Sequence, residues 1–408
     1  KSTDTKKHVS LHNSLKDKSE FPQGRVFYTL PFIIFENSNC HYLLLVTILI
    51  GGVFMYPKVE INLTKIEHNV QRIVSLAARN GINVWGVTKG VSGDLKVAQT
   101  MVEAGVNGLA DSRIQNLRRL SNLDAELMLL RSPMLSQVEQ VIEYADISLN
   151  SEWKVIKQLN QAAEKNEQIH KIILMVDLGD RREGVLPADV LQMAKKIKKL
   201  AQIKLVGLGT NLACFMGILP SKKKMKELTA LKDEVEEKLK IKLDMISGGN
   251  SSSLPLLLEK DYQAQINQLR IGETILLGSE VPSGDAFPST KSKTVKLKAE
   301  VIELKQKPTS TKGQQGENAF GEKKEIVDKG VRQRAILAVG KQDIAPTGLI
   351  PCQNEITIEG ASSDHLIVDV TDNEDVGVGS ILEFNVNYPC LLRALTSNYV
   401  DIEYVNSN

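Results

Sequence analysis

Cysteine is scarce in this sequence: Cys40, Cys214, Cys352 and Cys390 are the only four in 408 residues, and no CxxC pair occurs. That excludes a disulfide framework and a zinc knuckle as the means of holding the fold, and it fits a reducing, cytoplasmic setting. From Met55 onward the histidines are His68, His170 and His365, too scattered to suggest a metal-ligand motif, so no metal is expected. Excess charge is lacking as well. Fifty-one basic against 49 acidic residues leave a net charge of +2, which offers no field to gather nucleic acid or an anionic membrane. Lys222, Lys223, Lys224 and Lys226 form a basic run, but no aromatic platform accompanies them and they read as the solvated start of a helix. The apolar run "LLLVTILIGGVF" at 43–54 is shorter than the ~20 residues that span a bilayer, and no membrane association is expected. A small-molecule partner is what these absences leave.

With 42% hydrophobic residues the chain can bury a sizeable core, as two domains or as one barrel with an appendage. The first 54 residues differ from the rest, combining a polar start with the apolar run that ends just before Met55. As an export signal the run is poorly placed, because a signal peptide carries a short basic start rather than about 40 preceding residues. The other reading sets the chain start at Met55, with Gly51-Gly52 translating a purine-rich ribosome-binding site. Residues 1–54 are therefore taken as an extension outside the fold, and two domains are expected over 55–288 and 289–408.

From Thr64 the pattern T-x-x-E with Glu67 suggests a capping box, followed by Ile66, Val70, Ile73, Val74 and Ala77 at helical spacing and closed by Gly81. The stretch "GINVWGVTKGVSGD" at 81–94 then supplies an apolar strand, a lysine at its end and a Gly/Ser loop. Asp94 is placed to cap a second helix, with Leu95, Ala98 and Val102 on one face and Gly105 at its end. Short apolar runs recur at 108–110, 127–131, 146–150, 171–177, 204–211, 243–248 and 267–272, with helical patterns such as Val155 to Lys165 and Met225 to Leu239 between them. Buried runs alternating with helices indicate a parallel sheet, and eight such units suggest an α/β fold of (β/α)8, TIM-like type; a doubly wound open sheet would give the same local pattern. After about residue 290 the stretches "TVKLKAEVIEL", "RAILAVG", "EITIEGA", "HLIVDVT" and "ILEFNVN" alternate with little helical period and read as a C-terminal β domain, with 306–325 as an exposed loop.

In such a barrel the C-terminal ends of the strands face the active-site mouth, and Lys89 holds that place on the first strand. A lysine there can condense with an aldehyde, as in enzymes that hold pyridoxal phosphate; it can equally be a solvated strand end. "ISGGNSSSL" at 246–254 brings Gly249, Asn250 and Ser251 to the end of the seventh strand, where glycines admit a phosphate to backbone N–H groups and serines add donors; an ordinary Gly/Ser turn is the plainer alternative. Arg270, in the apolar "NQLRIGETILLG" with Gly272 and Glu273 just beyond, needs a partner when buried: a cofactor atom or a structural ion pair with Glu273. "VDLGDRREG" at 176–184 offers Arg181 and Arg182, one for a substrate carboxylate and one for the surface.

Together with "LADSRIQN", "AILAVGKQD" and "GASSDHLIVDVT", and in this order along about 350 residues from Met55, these stretches resemble the alanine-racemase family of pyridoxal-phosphate enzymes (fold type III), and most fully its ornithine racemase branch. The resemblance implies pyridoxal 5'-phosphate as cofactor, with Lys89 as the Schiff-base lysine and acid/base on one substrate face. It implies Ser251 with the groups around Gly249, Asn250, Gly272 and Glu273 as the phosphate cup, Arg270 as partner of the pyridine nitrogen, and Arg182 as the arginine near the substrate carboxylate. Ser363 and Asp364 fall where the family has a Met-Asp pair that enters the partner's active site, so a homodimer with shared sites is implied.

Two positions depart from the family. Gly93 stands where alanine racemases carry a tyrosine that touches the phosphate. Lys341, in Val339-Gly340-Lys341-Gln342-Asp343, stands at the catalytic tyrosine's place in I-G-Y-A-D and becomes the candidate second base. The expected activity is racemisation of ornithine, with Asp364 as the acid that meets a cationic side chain. Lysine, serine or alanine as substrate, or a non-catalytic cofactor carrier on the same barrel, are the rivals; carriers of that kind are typically barrels without the added β domain.

Overall fold

The structure is a computed structural model that describes residues 55–260, 265–281 and 283–406; Cys40, the apolar run at 43–54 and the reading of Met55 as a start concern residues outside that set or its edge. All eight expected barrel strands are present. They are β2 (Asn83–Val87), β3 (Gly108–Asp111), β4 (Leu127–Leu129), β5 (Ile147–Asn150), β6 (His170–Met175), β7 (Ile203–Gly209), β8 (Met245–Ser247) and β9 (Gln268–Ile271). Each pairs in parallel with the next, and β9 closes on β2 with Trp85 opposite Arg270. Two-sided burial explains why the runs read as nearly continuous apolar sequence. Trp85, Val87, Ile173 and Met175 fill the barrel's interior, while the alternate residues Val84, Ile172 and Leu174 face the surrounding helices.

The helices between strands are α1 (Leu63–Ala78), α2 (Leu95–Glu103), α3 (Ile114–Leu120), α4 (Val138–Tyr144), α5 (Trp153–Lys165), α6 (Val190–Ile197), α7 (Lys222–Leu239) and, after the last strand, α8 (Glu273–Leu277). The cap of α1 is not the expected Thr64-x-x-Glu67 box. Asn62 caps it, accepting from Lys65 N at 2.9 Å, because Asn62 ends a preceding strand and already has the extended backbone a cap requires. Asp94 caps α2 as expected, but the buried face is Val97, Ala98 and Met101, and Leu95 at the first helical position is 45% exposed.

That preceding strand is β1 (Lys58–Asn62). It precedes the barrel in sequence and pairs antiparallel with β10 (Val295–Pro308) and parallel with β16 (Asp401–Val405). The other strands of the C-terminal sheet are β11 (Val331–Leu337), β12 (Leu349–Pro351), β13 (Thr357–Ala361), β14 (Leu366–Asp369) and β15 (Ile381–Val386), in the order β12-β15-β10-β11-β14-β13. Val295, Leu297, Ala299 and Val301 alternate into its core. The loop between β10 and β11 is exposed, and a last helix, α9 (Tyr388–Ala394), lies before β16. No helix among the described residues is long and apolar enough to cross a membrane.

His170 opens β6 at the barrel's far end from the mouth, buried, with its Nε2 2.7 Å from Ser148 Oγ. Burial pushes its imidazole from 6.5 down to about 4. It stays neutral while folded and gains a proton on unfolding, so its contribution is intact above about 6.5 and is lost as pH falls toward about 4. Between pH 7 and 5 this amounts to about 2 kcal/mol. Urea unfolding should therefore show a shallower loss of stability over that interval in His170→Gln than in the unsubstituted protein; equal slopes would refute the assignment.

Candidate active site

The site is built from the turns that follow the barrel strands. After β2, Thr88 N donates to Ala110 O at 3.0 Å and Thr88 Oγ1 to Asp111 Oδ2 at 2.8 Å. Asp111 is fully buried and also accepts from Arg113 N at 2.9 Å and Asn116 Nδ2 at 3.0 Å. Burial nonetheless pushes its carboxyl above the usual range, with these donors opposing. The network fixes the turn, and the next residue, Lys89, opens a short 3-10 turn at the mouth. Its half-buried side chain lines a cavity of about 150 Å³ together with Arg182, Asn250, Ser251, Arg270, Gly272 and Glu273. Seven of the residues singled out from sequence therefore meet in one place.

The Gly/Ser loop beyond Lys89 turns the chain through left-handed Ser92 and Gly93 into the cap of α2. Gly93 has φ +67°, and a Cβ there would lie 2.6 Å from Asn116 Cβ. The tyrosine that alanine racemases carry at this position cannot fit. An aromatic residue reaches the cavity from elsewhere: Tyr388, at the start of α9, lines it and stands 3.2 Å from where a Gly90 Cβ would be. Burial, aided by Glu273, drives its hydroxyl far above the usual phenol range. Sequence reading missed Tyr388, and nothing in its spacing marks it; only the fold carries α9 to the barrel mouth.

At the end of β8, Asn250 accepts from Ser252 N at 2.8 Å and donates to Asn211 Oδ1 at 3.0 Å and Leu212 O at 2.9 Å. Ser251 Oγ accepts from Thr274 N at 3.4 Å, joining this loop to the one that begins at Gly272. Arg270 is buried; it donates to Ser247 Oγ and, at 2.8 Å, to Thr210 O. Among the described residues it makes no ion pair, with Glu273 or any other acid. Burial lowers it to about 10. Glu273 is half-buried and pushed upward by burial, with Lys89 opposing.

The loops after β6 and β7 close the remaining side. Buried Asp180 accepts from the backbone N–H groups of Cys214 at 3.2 Å, Phe215 at 3.1 Å and Met216 at 3.1 Å, holding one loop to the other. Arg181 is exposed and pairs with Asp177 at 3.4 Å, so it is the arginine of the pair that decorates the surface. Arg182 faces the cavity, its Nε and Nη2 donating to Glu183, the latter at 2.6 Å, and its Nη1 to Cys214 Sγ at 2.6 Å. Of the lysines at the start of α7, Lys222, Lys223 and Lys226 are exposed, whereas Lys224 Nζ donates to Leu178 O.

Lys341, Ser363 and Asp364 are not among the residues that line this cavity. They come together in the C-terminal domain, where Lys341 N donates to Ser362 O at 2.8 Å and Gln342 N to Ser363 O at 2.9 Å. Lys341 Nζ sits 3.0 and 2.9 Å from the two carboxylate oxygens of Glu322 and 4.0 Å from the ring centroid of Phe320. Asp364 accepts from Ser363 Oγ at 3.1 Å and lies 2.8 Å from His365 Nδ1.

The residues around the cavity fit a phosphorylated aldehyde cofactor. Arg270 carries a buried charge met only by neutral acceptors, and Asn211 Nδ2 is buried with no acceptor. Gly272 lets the turn after β9 pack closely against β2, where a Cβ would stand 3.1 Å from Val87 Cβ. Lys89 adds an amine, and Ser251 a hydroxyl beside a helix start.

A closed parallel barrel with this lysine, arginine and serine set at its mouth, joined to a β domain, defines a pyridoxal-phosphate enzyme of the barrel type. The family described as alanine racemase, N-terminal domain, matches residues 61–280, and the chain belongs to that family. It is 41% identical over 351 residues to the ornithine racemase of Acetoanaerobium sticklandii, covering 86% of this chain and 99% of that protein. It is 39% identical over 355 residues to the lysine racemase of Thermotoga maritima, with the same two shares. Among solved structures, an alanine racemase from Clostridium difficile has a TM-score of 0.67 at 19% identity, covering 87% of this chain and 97% of that one. A D-threonine aldolase from Filomicrobium marinum has 0.64 at 12% identity, covering 84% and 88%, so the fold by itself does not fix the reaction.

Proposed function

We propose that this protein is a pyridoxal-phosphate-dependent amino-acid racemase that interconverts L- and D-ornithine. The observation that carries the reading is the convergence of Lys89, Arg182 and Arg270 on one cavity, and the substrate follows from the 41% identity with an ornithine racemase. Lysine is the second reading, favoured by the nearly equal identity with a lysine racemase. The C-terminal sheet, with α9 lending Tyr388 to the cavity, speaks against a cofactor carrier made of a barrel alone.

When bound, the cofactor supplies an electron sink that acidifies the substrate's α-hydrogen. Lys89 Nζ holds it and moves the α-proton on one face. Arg270 offers donors only and remains charged, so it would hold the cofactor's ring nitrogen in its unprotonated form and would restrain side reactions such as transamination. Ser251, with Asn250, Gly249 and the turn at Gly272–Glu273, receives the phosphate. Arg182 takes the substrate carboxylate. The opposite face requires a second acid/base, and Lys341 with Ser363 and Asp364 would reach it from a second copy of the chain. An isologous dimer lets each C-terminal domain complete the other's site.

Chiral chromatography of the purified protein against L-ornithine, L-lysine, L-serine and L-alanine, with and without added cofactor, tests the reading. D-ornithine should form fastest and only in cofactor-loaded protein. No D-product from any of the four would leave the carrier reading in its place.

A further inference from the structure

Two acids line the cavity with Lys89, and they keep different company. Glu273 stands beside Lys89 itself. Glu183 lies on the fork of Arg182, both of its carboxylate oxygens taken by the guanidinium, with Nη2 to Oε1 at 2.6 Å. A planar fork that receives a carboxylate through two parallel bonds is the arrangement an amino acid's own carboxylate would need. Glu183 therefore sits in the seat that Arg182 holds for the substrate.

A consequence follows for which amino acids can take that seat. A substrate carboxylate entering the fork displaces Glu183 and strands its negative charge at the edge of the cavity. An amino acid with a neutral side chain brings nothing to compensate. One with a terminal ammonium brings the missing partner, and the four charges then re-pair with none left over. Arg182 and Glu183 are neighbours with long unbranched side chains, so their heads can separate to the span of a five- or six-carbon diamino acid.

We propose that Glu183 recognises the side-chain ammonium of the substrate by ion-pair exchange with Arg182, and so selects diamino monocarboxylic acids over neutral ones. This rests on reading the site as an amino-acid racemase. Sequence alone pointed to Asp364 for this task; Asp364 would have to come from the second copy, whereas Glu183 lines the cavity of its own chain and already lies on Arg182. The loop that carries Glu183 is steadied by Asp180 on the 214–216 backbone and by Cys214 on Arg182.

The test compares the cofactor-loaded protein with Glu183→Gln and Glu183→Asp on L-ornithine and on L-norvaline, which has the same carbon chain without the ammonium. In Glu183→Gln the KM for ornithine should rise, while the KM for norvaline should fall because the competitor for Arg182 has gone. The ratio of kcat/KM values should drop roughly 30-fold, as expected for one partly buried charge pair, and Glu183→Asp should restore part of it. Calorimetry reads the same exchange without turnover: 5-aminopentanoate should bind the unsubstituted protein more tightly than pentanoate, and Glu183→Gln should lose that preference. KM changes in the same direction for both substrates, or a ratio within about threefold of the unsubstituted protein, would overturn the proposal and leave Glu183 as a prop for Arg182. Failure of the unsubstituted protein to racemise any amino acid would sink the parent reading separately, and the calorimetric preference would still decide the role of Glu183.

Discussion

Replacing Lys89 with alanine should abolish racemisation and, in the same preparation, the visible absorbance of cofactor bound through a lysine. The two losses belong together because, in the role proposed for Lys89, one nitrogen serves both purposes, holding the cofactor and moving the α-proton. General acid/base catalysis alone contributes roughly 10²- to 10⁴-fold, and loss of the attachment adds to it, so a fall of at least about 10⁴-fold is expected. The fold should survive. Lys89 is half-buried and, among the described residues, its ammonium makes no hydrogen bond or ion pair that alanine would leave unmatched. It is also the only lysine among the described residues that line the cavity. Borohydride reduction followed by peptide mapping should find the cofactor on Lys89 in the unsubstituted protein and nowhere in the variant. Reducible cofactor on another lysine would take Lys89 out of this role.

What can be read from the sequence follows from the physics of each element. The barrel strands are legible because both of their faces are buried, which turns stretches such as "KIILMVD" into unbroken apolar runs. Their order along the chain is enough to place Lys89, Ser251 and Arg270 at strand ends. The pairing of β1 with the C-terminal sheet is not legible: its five residues look like any short strand, and the partners that define it lie at 295–298 and 401–405. Tyr388 and the grip of Asp180 on residues 214–216 are equally non-local. The fork between Arg182 and Glu183 is a different case. The two residues are adjacent in "VDLGDRREG", but pairing between neighbours has no periodic signature, and only the folded loop shows that one residue's carboxylate fills the other's binding edge. Asn116 behind Gly93 explains why the family's tyrosine is missing there, a clash that no single-sequence pattern announces.

Lys341→Ala should retain the cofactor and lose racemisation. No cavity-lining side chain is removed by this substitution, so the absorbance of the bound cofactor should persist; the loss should fall on the face of the substrate that Lys89 does not serve. The proposed role asks the lysine to exchange protons, and its surroundings show what would restrain it. Glu322 holds its ammonium through both carboxylate oxygens and Phe320 lies under it, so the pair must open, or pass to a second copy's cavity, before the amine can accept a proton. Two bases on opposite faces each exchange their own proton with solvent. Product formed in heavy water then acquires deuterium while unreacted substrate acquires little. With Lys341 removed, slow α-hydrogen exchange through Lys89 should continue on one enantiomer only. The rival account makes Lys341 a fixed charge while water moves the proton. It predicts that Lys341→Arg restores activity, whereas a base cannot be replaced by a guanidinium that stays protonated. Racemisation by Lys341→Ala within about tenfold of the unsubstituted enzyme, only ~1.4 kcal/mol in the barrier, or recovery in Lys341→Arg, would rule the lysine out as the second base.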